Sequence, residues 1–220
     1  MDSRISRIRS KLAKMPYQVQ RSHSVCGEGH HFRLGPRISS SEADAFEAEH
    51  HILLPAAYRE FLIELGGGGA GPFYGLLPLE KCRLFTMNRK PADGSPRGFT
   101  HVDHPYALQG DLFLHIIEMG CSDLCLIGVT GPLAGRVVTG NADGFWPPNV
   151  SSAQDFLSWY ERWLNHMREG KDNVALGLSS PAILASPRWG PRAKEAPQVL
   201  RRRGPRTVGP AVSDSPTHRH

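Results

Sequence analysis

Residues able to do chemistry are plentiful in this chain, but few stand at the spacings a reaction needs. Eleven histidines and four cysteines make a metal site the first chemistry to weigh. Cys26, His30 and His31 have ligand-like spacing, and Cys121 and Cys125 could add to them. Zinc sites usually show tight paired signatures such as C-x2-C with H-x3-H. A C-x3-H joined to a C-x3-C, with Cys125 inside an apolar run, falls short of that pattern. The expectation is free thiols, no metal and no cofactor.

Asp103, His104 and Asp111 suggest acid–base work. Adjacent Asp and His side chains diverge in most backbone conformations, however, and no G-x-S-x-G nucleophile turn is present. The glycine run at Gly66, Gly67, Gly68 and Gly69 invites a phosphate-loop reading. Such a loop needs Gly-Lys-Ser/Thr leading into a helix, so that backbone N–H groups and the lysine meet the phosphate. Here the run leaves a helical pattern and is soon followed by Pro72, so it reads as a helix stop. Trp159, Tyr160 and Trp163 could form a stacking platform. Phe156 and Leu164 continue the same helical spacing, which makes the stripe a core face instead.

The elements that would position these residues follow from periodicity. Ile5, Ile8 and Leu12 recur as in a short amphipathic helix. Ser39-x-x-Glu42 is a capping-box signature opening a helix that ends near His51, where imidazolium suits the helix dipole. Pro55 opens a second helix, with Tyr58, Phe61, Leu62 and Leu65 on one stripe. Residues 70–80 read as an extended edge anchored by Phe73, Tyr74, Leu76 and Leu77. Residues 86–110 read as a long polar surface loop. Leu112, Leu114 and Ile116 alternate with Phe113, His115 and Ile117, a strand apolar on both faces. The run GCSDLCLIGVTGPLAGRVV, residues 120–138, reads as a buried strand, a Gly-Pro turn and a returning strand. A dense turn set lies in 141–150 around Phe145 and Trp146. Ser152-x-x-Asp155 caps a last helix, whose stripe runs through Phe156, Trp159, Tyr160, Trp163, Leu164 and Met167 until Gly170.

Composition places limits on the whole. A chain of 220 residues with 40% hydrophobic content can bury a core, and no apolar run approaches the roughly 18 residues of a membrane span. The N-terminus is basic and lacks the apolar stretch of a secretory signal, so the expected location is cytoplasmic. The net charge of +5 divides unevenly. Residues 1–22 hold six Lys/Arg against Asp2, residues 171–220 nine against three acids, and residues 23–170 eleven against seventeen. Three regions follow: a basic N-terminal helix or arm over 1–22, an α+β domain over 23–170, and a disordered Pro/Arg-rich tail over 171–220. The tail could make weak non-specific contact with nucleic acid. The acidic middle argues against a nucleic-acid reader.

Four segments together resemble the SUKH superfamily, which includes the yeast Smi/Knr cell-wall-synthesis regulators and many bacterial proteins. They are LPAAYREFL with its glycine stop, AGPFYGLLPL, the GCSDLCLIGVTGPLAGRVV hairpin and the closing FLSWYERWL helix. The resemblance covers roughly residues 32–166. It implies an α+β fold, with a mixed, mostly antiparallel sheet flanked by N-terminal helices and a C-terminal helix. It also implies no enzymatic activity and no shared catalytic residues. Many bacterial members are immunity proteins that bind and neutralise a toxin, often a nuclease, and an acidic body suits the basic groove of such a partner. The expected function is therefore a non-catalytic protein-binding domain acting as an immunity protein against a cognate toxin. A regulatory interaction module of the Smi/Knr type is the alternative, and a small metal-dependent hydrolase a third reading. No membrane and no small-molecule substrate is expected. The candidate partner-binding residues are the loop acids Asp93, Asp103, Asp111 and Asp143, with Tyr106 and Trp146 as aromatic anchors.

Overall fold

The computed structural model describes residues 2–18, 30–103 and 110–170. The stretches around Cys26, His104 and Tyr106, and the tail from 171 onward, lie outside the described residues.

Four α-helices and a six-stranded sheet make an α+β fold. In chain order they are α1 (Ser3–Gln18), α2 (Ser40–His50), α3 (Ala56–Glu64), β1 (Arg83–Met87), β2 (Phe99–Val102), β3 (Leu112–Glu118), β4 (Asp123–Gly128), β5 (Val137–Asn141), β6 (Asn149–Val150) and α4 (Phe156–Arg168). The strands lie in the order β2-β1-β3-β4-β5-β6. Every strand pair is antiparallel, and the one parallel contact is an isolated bridge between Gly128 and Ala134.

Local signals explain the helices. Ser39 accepts a hydrogen bond from the Glu42 backbone N–H while the Glu42 carboxylate accepts from the Ser39 backbone, so the expected capping box opens α2. His51 closes it in the left-handed conformation. The cap of α4 sits three residues later than the sequence suggests. Asp155 is the N-cap, its carboxylate accepting from Ser158 N–H, whereas the Ser152 hydroxyl accepts from Arg162. Ser and Asp both cap well, so the spacing alone admitted either.

Period-two alternation sorts the strand residues between two apolar clusters. Leu84, Val102, Leu114, Cys125, Ile127 and Val137 face the helices. Phe99, Phe113, Leu124, Leu126 and Val138 face the other way. The register shifts between His115 and Ile117, so Ile116 and Ile117 both enter the helical side. Such a bulge is how a strand changes facing without breaking.

Among the described residues no helical layer covers the second face; the sheet rolls over it. Phe99, at the start of edge strand β2, donates its backbone N–H to the Ala142 carbonyl at the far end of β5, at 3.0 Å. Its ring stands edge-on to Phe113, with centroids 5.6 Å apart. It also lies over Gly140, where an added Cβ would come within 2.3 Å of the ring. Thus β2 belongs to the sheet, in a stretch the sequence suggests is a polar loop. The strand is four residues long with only Phe99 and Val102 buried, on opposite faces, too few apolar positions to register as a periodic run.

The helical face holds the main core. Phe156 packs against Tyr58 and Phe61 at 4.8 and 5.0 Å, and Phe61 against Tyr160 at 4.6 Å. Trp159, Tyr160 and Trp163 are at most 3% exposed, so the aromatic stripe of α4 is core. Tyr160 donates its hydroxyl to the Ala70 carbonyl at 2.8 Å. The N-terminal helix shares this core, with Ile5, Ile8 and Met15 completely buried. Its cations grip the body. Arg4 binds Asp155, Arg7 and Lys11 bind Glu161, and Arg9 reaches Glu64. Up to Gly170 the chain holds 17 Lys/Arg and 18 Asp/Glu, so the acidity of the middle is largely balanced by α1.

The glycine run ends α3 and then packs as backbone. Gly69 bridges Leu34 on one side and Leu76 on the other. An added Cβ on Gly69 would lie 2.4 Å from the Arg33 carbonyl oxygen, and its φ is +80°. Only glycine satisfies both conditions. Tyr74 is 60% exposed, its ring edge lying 3.1 Å from where a Cβ on Gly120 would stand.

Candidate functional site

An open cleft of about 610 Å³ lies between α2 and the sheet at β1 and β2. It is built from ordinary consequences of the fold. The helix α2 turns Phe46 inward and leaves Glu42 and Glu49 on its rim. Strands β1 and β2 contribute Leu84 and Val102, a hydrogen-bonding neighbour pair on the helical face. Ile38 and Leu79 complete an apolar floor. Around it stand Glu42, Glu49, Glu80 and Asp103, against the cation Arg83 and the imidazoles His50 and His101.

The rim charges are mostly uncommitted. Arg83 donates to the Glu80 and Cys82 backbone carbonyls instead of to a carboxylate. Ser39 holds the Glu42 carboxyl below its ordinary pKa through its backbone N–H and then its hydroxyl. Glu49 and Glu80 have no cation within ion-pair distance among the described residues. Asp103 lies 3.3 Å from His101 Nδ1, both exposed. His50 Nδ1 is 3.0 Å from the Phe46 carbonyl oxygen and donates to it, its ring stacked on Phe46 at 4.1 Å.

The edge of the sheet adds backbone groups. Asn88 N–H donates to the Gly98 carbonyl, which sets the alternation along β2. Thr100 and Val102 turn their backbone groups toward β1, whereas Phe99 and His101 turn theirs outward. The outward N–H of Phe99 is taken by Ala142. His101, at the cleft, has no backbone partner on that side among the described residues.

Five of the six candidate binding residues lie within the described residues. Asp103 is on the cleft rim. Asp143 and Trp146 are on the β5–β6 turn, which meets the start of β2 through the Phe99–Ala142 backbone bond. There the Ser122 hydroxyl donates to Asp143 at 2.5 Å, and the Trp146 indole N–H donates to Asp123 at 2.9 Å. Phe145 beside them is 79% exposed. Asp93 is an exposed turn residue whose carboxylate accepts the Ser95 backbone N–H, which lowers its pKa. Asp111 is half-buried at the start of β3, its carboxylate within 2 Å of where a Cβ on Gly131 would lie. Tyr106 lies outside the described residues. The sequence offered no sign of the cleft carboxylates Glu49 and Glu80, because nothing local distinguishes them from other helix and turn acids.

The thiols are placed for packing. Burial pushes the Cys82 thiol up to about 12, and burial likewise raises that of Cys125. Both are therefore neutral and poor nucleophiles at physiological pH. Cys121 is exposed. Among the described residues no three His, Cys, Asp or Glu side chains converge as a metal site would require, and no helix is long and apolar enough to cross a membrane. Burial lowers the pKa of His30, against the opposing bond to the Gly71 carbonyl.

Models of known protein families, characterised proteins and solved structures were compared with this chain, and none matches.

Proposed function

We propose that this chain is a non-catalytic protein-binding domain of the SUKH type, and that it acts in the cytoplasm as an immunity protein that neutralises a cognate bacterial toxin. The toxin reading comes from the resemblance of four segments to that superfamily. The observation that supports binding is the cleft, with apolar floor and carboxylate rim on a rigid frame of helix and strand. Such a surface takes an apolar anchor flanked by cations, the chemistry of a segment from a basic protein. The β5–β6 turn, with Phe145, Trp146 and Asp143, offers a second contact of similar character. The reading needs no cofactor.

The test is co-expression with a toxin encoded beside this chain, scored by survival. Protection is expected, together with association that slows steeply as salt rises. Charge reversal at Asp103 should reduce the on-rate while leaving the circular dichroism spectrum unchanged. Failure to protect, with salt-independent binding to some other protein, would overturn the toxin reading in favour of a regulatory module.

A further inference from the structure

The cleft has complementary chemistry in the chain's own tail. Residues 198–203 read QVLRRR and stand between Pro197 and Gly204-Pro205. It is the place in the tail where an apolar pair is followed directly by three arginines. In an extended conformation Leu200 and Arg202 share one face, and Val199, Arg201 and Arg203 the other. The cleft presents complementary groups: an apolar floor of Phe46, Leu84 and Val102, and the carboxylates Glu42, Glu49, Glu80 and Asp103, which outnumber the one cation Arg83. It also presents the outward backbone N–H and C=O of His101, a vacant rung at the sheet edge among the described residues.

We propose that residues 198–203 dock in cis as an added strand between β2 and α2, with Leu200 on the floor and Arg202 among the rim carboxylates. Strand addition at an exposed edge beside a helix takes affinity from backbone hydrogen bonds and specificity from alternate side chains. Reach is no obstacle. The 27 residues between Gly170 and Gln198 span up to about 90 Å when extended. A compact body of this size has a radius of gyration of about 16 Å. The docked tail covers a vulnerable edge and raises the local concentration of its own competitor, so any other protein entering the cleft must displace it. The proposal does not depend on the toxin reading.

Hydrogen exchange on the full chain tests it. Exchange of the His101 amide, the outward N–H of β2 that Ala142 does not take, is compared in the wild type, in Leu200→Asp, and in a variant with Arg201, Arg202 and Arg203 all changed to Ser. Unfolding midpoints verify that the body is intact in each variant. Protection of the edge by about tenfold in the wild type, corresponding to docking in about nine molecules of ten, should be lost in both variants. Asp103→Arg should also lose it, and Asp103→Arg combined with Arg202→Glu should regain part. Equal exchange in wild type and Leu200→Asp would overturn the proposal. Protection that disappears on dilution would overturn docking in cis and assign the contact to a second copy.

Discussion

Glu161 offers the sharpest test of how α1 is held. It sits on α4, 15% exposed, with Arg7 Nε at 2.9 Å and Lys11 Nζ at 2.8 Å, both from α1. The bond from Arg7, partly opposed by burial and helped by Lys11, lowers its carboxyl from 4.5 to about 2. A carboxylate depressed by that much in the folded state could contribute about 3 kcal/mol at neutral pH if the whole shift belonged to folding. Arg7 is half exposed, so solvent screens its part, and about 1–2 kcal/mol is the expected effect of Glu161→Gln. The pH dependence carries the diagnosis. The charged carboxylate's stabilisation is complete above the unfolded value near 4.5 and is lost as pH falls toward the folded value near 2. Urea unfolding of wild type and Glu161→Gln should therefore differ by about 1–2 kcal/mol at pH 7, and the difference should shrink through pH 4 to 2.5. A difference that is absent at pH 7, or constant down to pH 2.5, would refute the clamp. A double-mutant cycle with Lys11→Met should show coupling, since the two side chains are in contact.

Other expectations follow from the packing. Trp159→Ala should cost about 3–5 kcal/mol in chemical denaturation, the usual effect of emptying a buried aromatic site; a neutral result with lost partner binding would make the α4 stripe an exposed platform. Gly140→Val should destabilise strongly, because Phe99 occupies the space a side chain would need, and Phe99→Ala should relieve part of that cost in the double variant. Native protein treated with a thiol reagent should label Cys121 rapidly and leave Cys82 and Cys125 unmodified until unfolding, as judged by mass spectrometry of the labelled peptides. Asp123→Ala should release the Trp146 indole, read as a red shift of tryptophan emission, and should lower the unfolding midpoint because the buried Asn141 amide loses the same acceptor.

Where local sequence already over-determines an element, reading and structure coincide. The Ser39–Glu42 box, the helical stripe of α4, and the bounded apolar runs of β3 and β4 each satisfy their hydrogen bonds or bury their faces in a way that neighbouring residues alone dictate. The amphipathic pattern of α1 was legible too, but its membership in the core was not. Its ion-pair partner Glu161 lies 154 positions from Arg7, and a charge sum over segments treats the two as separate regions. Edge strand β2 escaped because it buries few residues and needs no long apolar run, and β1 beside it escaped because Leu84 is its one fully buried residue. The rolled second face escaped because Phe99 meets Phe113, Gly140 and Ala142 only after four antiparallel pairings have brought opposite sheet edges together. The assembly of Glu49, Glu80 and Asp103 around one cleft likewise belongs to tertiary structure. Single carboxylates carry no local signature of their neighbours, and only the folded chain decides which charges face each other across a cleft.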